Sequence, residues 1–131
     1  MATITNFEDL EIWQKARVIC QLIDKHCLKN DKFKLHDKNQ IDRCSASIMD
    51  NIAEGFEREG NKEFANFLSM SKGSAGEVRS QLIRASDRNY LDEQTFQHLK
   101  AEVLSMTKML SGFINYLKKS EHKGNKFNRN N

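Results

Sequence analysis

Residues 63–88 read EFANFLSMSKGSAGEVRSQLIRASDR, and the spacing within this stretch decides the fold. Phe64, Leu68, Ser71, Ala75, Val78, Leu82 and Ala85 recur every three or four residues, the period of one buried helix face. Along the far side runs a strip of small residues, Ser69, Gly73, Gly76 and Ser80. Between them lie Glu63, Phe67, Met70, Ser74, Glu77, Gln81, Arg84 and Arg88. A glycine inside a helix costs roughly 1 kcal/mol relative to alanine. Close approach by a second backbone is the simplest compensation. The spacing therefore predicts a helix packed on two sides, either central to a bundle or at a subunit interface. It names no reaction.

Three more helices follow on either side. A first is expected from Asn6 or Phe7 to about Cys27, with Asn6 as cap and Glu8, Asp9 and Glu11 favourably placed in its first turn. Its apolar stripe is Ile12, Trp13, Ala16, Ile19, Cys20, Ile23 and Cys27. Phe33 is expected to tuck back onto the bundle from the basic connection that follows. A second helix is expected from Leu35 or Lys38 to Glu57, buried through Ile41, Cys44, Ser45, Ile48, Ile52 and Phe56. Asn61 is a candidate cap for the third helix, which ends near Ser86 or Asp87. Asp92 caps a fourth, in which Phe96, Leu99, Val103, Met106, Leu110, Phe113 and Leu117 keep four-three spacing. Such a seam fits left-handed bundle packing. The expected fold is all-α, an antiparallel up-and-down four-helix bundle over residues 1–119, with a basic, disordered tail over 120–131.

Composition agrees with that architecture and narrows the function. The 131 residues contain no proline and are 30% charged, which suits long helices in one domain. No run approaches the ~20 apolar residues of a membrane span, and the first residues lack a signal-peptide pattern, so a cytoplasmic location is expected. Three cysteines, Cys20, Cys27 and Cys44, read as small buried hydrophobes. The formal charge of +3 resides in the tail: from Lys118 onward the balance is +4, and the rest of the chain carries −1.

Chemistry is sparse. None of His26, His36, His98 or His122 follows a glutamate by three, as a di-iron bundle requires, and no Cys-x-x-Cys pair is present. No metal and no cofactor is expected. Gly73-Ser74-Ala75-Gly76 lacks the Gly-Lys-Ser/Thr ending of a phosphate loop and sits inside a helix pattern. The remaining polar group is Asn51 and Glu54 on the second helix with Ser74, Glu77 and Gln81 on the third. Carboxylates on a half-buried face must be paired or hydrogen-bonded. These residues are expected to form either a network fixing register or a subunit contact, or else a pocket with two acids.

Several strings are familiar. Phe7-Glu8-Asp9-Leu10-Glu11-Ile12-Trp13-Gln14-Lys15-Ala16, Asn51-Ile52-Ala53-Glu54-Gly55-Phe56, Lys62-Glu63-Phe64 with Phe67-Leu68, Gly73-Ser74-Ala75 with Glu77, and Tyr90-Leu91-Asp92 together resemble the bacterial four-helix-bundle proteins. These are also called ribosomal RNA intervening-sequence proteins. The likeness spans about Phe7 to Leu117. It implies a left-handed up-and-down bundle, a ring-like homo-oligomer of five copies and no enzymatic activity. Related bundles include the accessory protein of diversity-generating retroelements, which engages a reverse transcriptase and nucleic acid. Met49-Asp50 departs from the proline or small residue that members often carry before the Asn-Ile-Ala-Glu-Gly string. The family's polar positions carry over as Asn51, Glu54, Ser74 and Glu77.

The leading expectation is a non-enzymatic oligomeric scaffold or adaptor, with Ser69, Gly73, Gly76 and Ser80 in close helix packing. The alternative is a nucleic-acid-binding accessory protein. Its phosphate contacts would be Lys29, Lys32, Lys34, Lys72, Arg79, Arg84, Arg88, Lys118, Lys119, Lys123 and Lys126, multiplied by oligomerisation.

Overall fold

A computed structural model describes residues 3–122, and the side chains of residues 3–120. Four helices, α1 (Glu11–Ile23), α2 (Leu35–Glu57), α3 (Asn61–Asp87) and α4 (Glu93–His122), alternate in direction through short connections. Both α2 and α4 pack against α3, and α1 fills the gap between α2 and α4 on the other side. α1 and α3 therefore occupy opposite corners. Every residue of the α3 stripe, from Phe64 to Ala85, is buried, as its period predicts. No helix among the described residues is long and apolar enough to cross a membrane.

The first helix departs from expectation. It does not run unbroken from Asn6 to Cys27: one 3-10 turn (Phe7–Asp9) precedes α1, and a π-helical turn (Asp24–Leu28) follows it. Leu10 is extended, with ψ 130°, and only 1% exposed. The break exists because a continuous helix would not deliver that side chain to the core. Phe7 instead lies tilted against Trp13, at 5.3 Å between ring centroids. The Asn6 side chain makes no capping hydrogen bond, and its backbone carbonyl accepts from Asp9 N–H. At the other end the wider turn, closed by Lys29 N–H to Asp24 C=O, buries Cys27 completely. Burial pushes the Cys27 thiol up to about 12, which leaves it an inert hydrophobe at neutral pH.

Phe33 does turn inward, 5% exposed and 4.6 Å from the Tyr90 ring. Asn30 pins the same connection by donating through Nδ2 to the carbonyls of His26 and Tyr90. Asn61 is a second correction. It is the first residue of α3 and not its cap, and it is only 6% exposed. Gly60, with φ +87°, takes the cap position because that left-handed backbone suits only glycine well. Asp92 does cap α4, its Oδ1 accepting from Thr95 N–H at 2.8 Å.

Along α4 the seam is buried as expected at every position, Leu117 included, except Phe113. Phe113 is half-buried and Ile114 is 6% exposed. A helix with 3.6 residues per turn drifts by about 20° per heptad against a strict seven-residue repeat, which lets Ile114 take the core position there while Leu117 stays fully buried. α4 also continues to His122, past the expected start of the tail at Ser120. The rest of that tail, with Lys123 and Lys126, lies outside the described residues.

Candidate functional site

The polar residues singled out in α2 and α3 meet along the seam between those helices. Ser71 Oγ donates to the Ile48 carbonyl at 2.8 Å in the buried part of that seam. One turn on, the hydroxyls of Ser47 and Ser74 lie 2.9 Å apart. Asn51 Nδ2 donates to both the carbonyl and the hydroxyl of Ser47, at 2.9 and 3.0 Å. Next, Cys44 Sγ lies 3.5 Å from Glu77 Oε2 and accepts from Gln81 Nε2 at 3.4 Å. Burial pushes the Cys44 thiol up, so it keeps its proton for Glu77. Asn51, Ser74, Glu77 and Gln81 thus belong to one seam, through two partners, Ser47 and Cys44, that link the helices.

Glu54 stands apart. It is exposed and pairs with Arg58 at 3.0 Å, and Arg58 also lies 3.7 Å from Glu63. Arg58 follows Glu54 by four positions, at the C-cap of α2, and this nearness favours the local pair over any reach toward Glu77. No hydrogen bond joins Glu54 to the Asn51–Ser47–Ser74 or Cys44–Glu77–Gln81 contacts among the described residues. The two carboxylates accordingly do not build a shared acid pocket.

At the far end of the seam lies a cluster the sequence did not suggest. Asp37 is 9% exposed, and its Oδ2 accepts from the Tyr90 hydroxyl at 2.9 Å and from the Arg88 guanidinium. Burial pushes the Asp37 carboxyl up, but the Tyr90 hydroxyl, Arg88 and Arg84 outweigh it and hold the group below the usual carboxylate range. Its partners lie 51 and 53 residues away in the chain, so no local motif marked it. Arg84 donates to Gln40 Oε1 at 3.1 Å. Arg88, offered as a phosphate contact, is committed to Asp37, and Lys29 pairs with Asp24 at 3.1 Å. Lys32, Lys34, Lys72, Arg79, Lys118 and Lys119 are exposed.

Close helix packing occurs at a glycine that the spacing did not single out. A Cβ on Gly55 of α2 would lie 2.5 Å from Phe67 Cβ of α3, so the two backbones cross there only because Gly55 has no side chain. The signal was present, a glycine inside the Asn51–Phe56 string. By contrast, Ser69, Gly73, Gly76 and Ser80 are all exposed, and a Cβ on Gly73 or Gly76 would meet nothing within 4 Å. Among the described residues no other backbone approaches this strip, which removes the reading that α3 is enclosed within its own bundle. Met70 and Ile83 border the strip, 49% and 42% exposed.

Elsewhere, an open groove of about 550 Å³ lies between the N-terminal turn and α4, lined by Leu10, Ile12, Met109, Gly112 and Phe113 among others. Among the described residues no three His, Cys, Asp or Glu side chains gather in a way that holds a metal ion.

Comparison with known proteins identifies a family. The family described as 23S rRNA-intervening sequence protein matches residues 8–112. No curated protein matches. Among solved structures, the chain is similar to a protein of unknown function from the S23 ribosomal protein family of Bacteroides thetaiotaomicron. That likeness has a TM-score of 0.73 at 20% identity and covers 79% of this chain and 97% of the other, a match of fold.

Proposed function

The chain belongs to the 23S rRNA-intervening sequence protein family, and from that premise we propose that it is a non-enzymatic scaffold or adaptor that works as a cytoplasmic homo-oligomer. One observation carries this reading. The outward face of α3 carries two helix-interior glycines, roughly 1 kcal/mol each, on a strip that nothing among the described residues covers. A second copy returns that cost if its backbone packs there, and the exposed Met70 and Ile83 supply apolar area at the same contact. A ring of five is the assembly implied by the family resemblance. The separation of Glu54 from the seam supports a structural role for the polar residues over acid–base chemistry. Sedimentation velocity at micromolar concentration tests the proposal. A single monomeric species would end it.

A second reading, binding to nucleic acid, draws support from the exposed Lys32 and Lys34 at one end of the bundle and from Lys72 and Arg79 on α3. Repetition of these charges around a ring would give a modest patch avidity.

A further inference from the structure

The oligomer reading leaves open which surface of the second copy meets α3, and the geometry of the protomer narrows it. Val18 is a large apolar side chain left 41% exposed on α1, and Gln14 and Gln21 continue its outward ridge at helical spacing. α1 and α3 lie at opposite corners of the bundle and run in the same direction, so these two faces point away from each other. Two different patches on opposite sides of one molecule make a head-to-tail contact, which propagates from copy to copy.

Height along the bundle sets the rise of such a contact, and α4 serves as a common ruler. Lys15 of α1 pairs with Glu102 at 2.9 Å, Leu10 and Ile12 share a groove with Met109 and Phe113, and Phe64 of α3 lies 5.5 Å from Phe113. Counting from these contacts at about 1.5 Å per residue puts Val18 level with α3 between Gly73 and Val78. Patches at equal height need no rise between neighbours, so successive copies stay in one plane, and the rotation from copy to copy sets whether they close into a ring. The charges agree. Glu11 and Arg17 fall on opposite flanks of the α1 ridge, and Lys72 and Glu77 on opposite flanks of the α3 strip. Parallel docking at matched height sets Glu11 toward Lys72 and Arg17 toward Glu77.

We propose that the Val18 ridge of one copy seats in the Gly73–Gly76 strip of the next, between Met70 and Ile83, so that each protomer offers both halves of one repeating contact. This rests on the oligomer reading. Two variants test it, Val18→Glu and Gly73→Arg; one side chain is exposed and the other position opens onto free space, so both are expected to fold, which circular dichroism checks. Native mass spectrometry of the full chain should show assembly for the unaltered protein and monomer for each variant alone. An equimolar mixture of the two should give a one-to-one heterodimer and nothing larger, because one intact ridge and one intact strip remain. If Val18→Glu still assembles while Gly73→Arg does not, the strip pairs with something other than α1 and this inference fails while the oligomer stands. A mixture that stays monomeric also overturns it. An unaltered protein that is monomeric ends both readings.

Discussion

Ser47 on α2 and Ser74 on α3 face each other across the helix boundary, with their hydroxyl oxygens 2.9 Å apart. That contact sits behind the exposed strip, so the same stretch of α3 is fixed from inside by hydroxyls and offered outward as bare backbone. Asn51 completes the inner side by donating to Ser47. Removing Ser74 leaves Ser47 with one partner, and removing both hydroxyls leaves Asn51 with the Ser47 carbonyl. A double-mutant cycle of Ser47→Ala and Ser74→Ala, read by thermal denaturation, is expected to give a coupling of about 0.5–1.5 kcal/mol. Purely additive losses would mean that the pair contributes nothing as a pair.

Gly55 and Gly73 should respond oppositely to the same change. Gly55→Ala places a methyl group 2.5 Å from Phe67 Cβ, and backbone on both sides must move. The expected cost is about 1–3 kcal/mol of overpacking, against a helix-propensity gain of roughly 1 kcal/mol. Gly73→Ala meets open space, so a sample dilute enough to be dissociated should gain up to about 1 kcal/mol. Denaturant midpoints of the two variants check the contrast. A gain at Gly55 would show that the helices are not in contact there.

Asp37 sets an acid limit on stability. Its folded-state value lies below the unfolded one, so its contribution is fully present above about 3.9 and is lost as pH falls through the lower folded value. Tyr90→Phe removes the hydroxyl that lowers the carboxyl, and the acid-unfolding midpoint is expected to rise. An unchanged midpoint would show that Tyr90 does not hold the carboxylate.

Much of this arrangement was legible because it is periodic. The α3 stripe repeats at 3.6 residues for about six turns, and a signal of that length survives any local exception. Leu10 was not legible, since an apolar residue beside a helix start looks the same whether it continues the helix or interrupts it. Asn61 carried a capping side chain that tertiary packing drew into the interior instead. Glu54 fitted the polar stripe, yet Arg58, four positions on at the end of α2, offered a nearer charge. The Asp37–Arg88–Tyr90 cluster joins α2 to the end of α3, and only the folded bundle brings those residues together.

Under the nucleic-acid reading, mobility shift of a generic RNA at low salt should weaken steeply as salt rises, with a slope set by the number of phosphates neutralised. Exchanging Lys32 and Lys34 for glutamine should lower both affinity and slope. Absence of any shift at low salt would remove this reading and leave the scaffold untouched.

The mass of the protein in solution bears most directly on the outward face of α3. Sedimentation velocity across the micromolar range is expected to show a discrete species at five times the 15.2 kDa protomer, lost on Gly73→Arg. A unit mass equal to one chain at every concentration, unchanged by that substitution, would mean that the strip of Ser69, Gly73, Gly76 and Ser80 simply faces water.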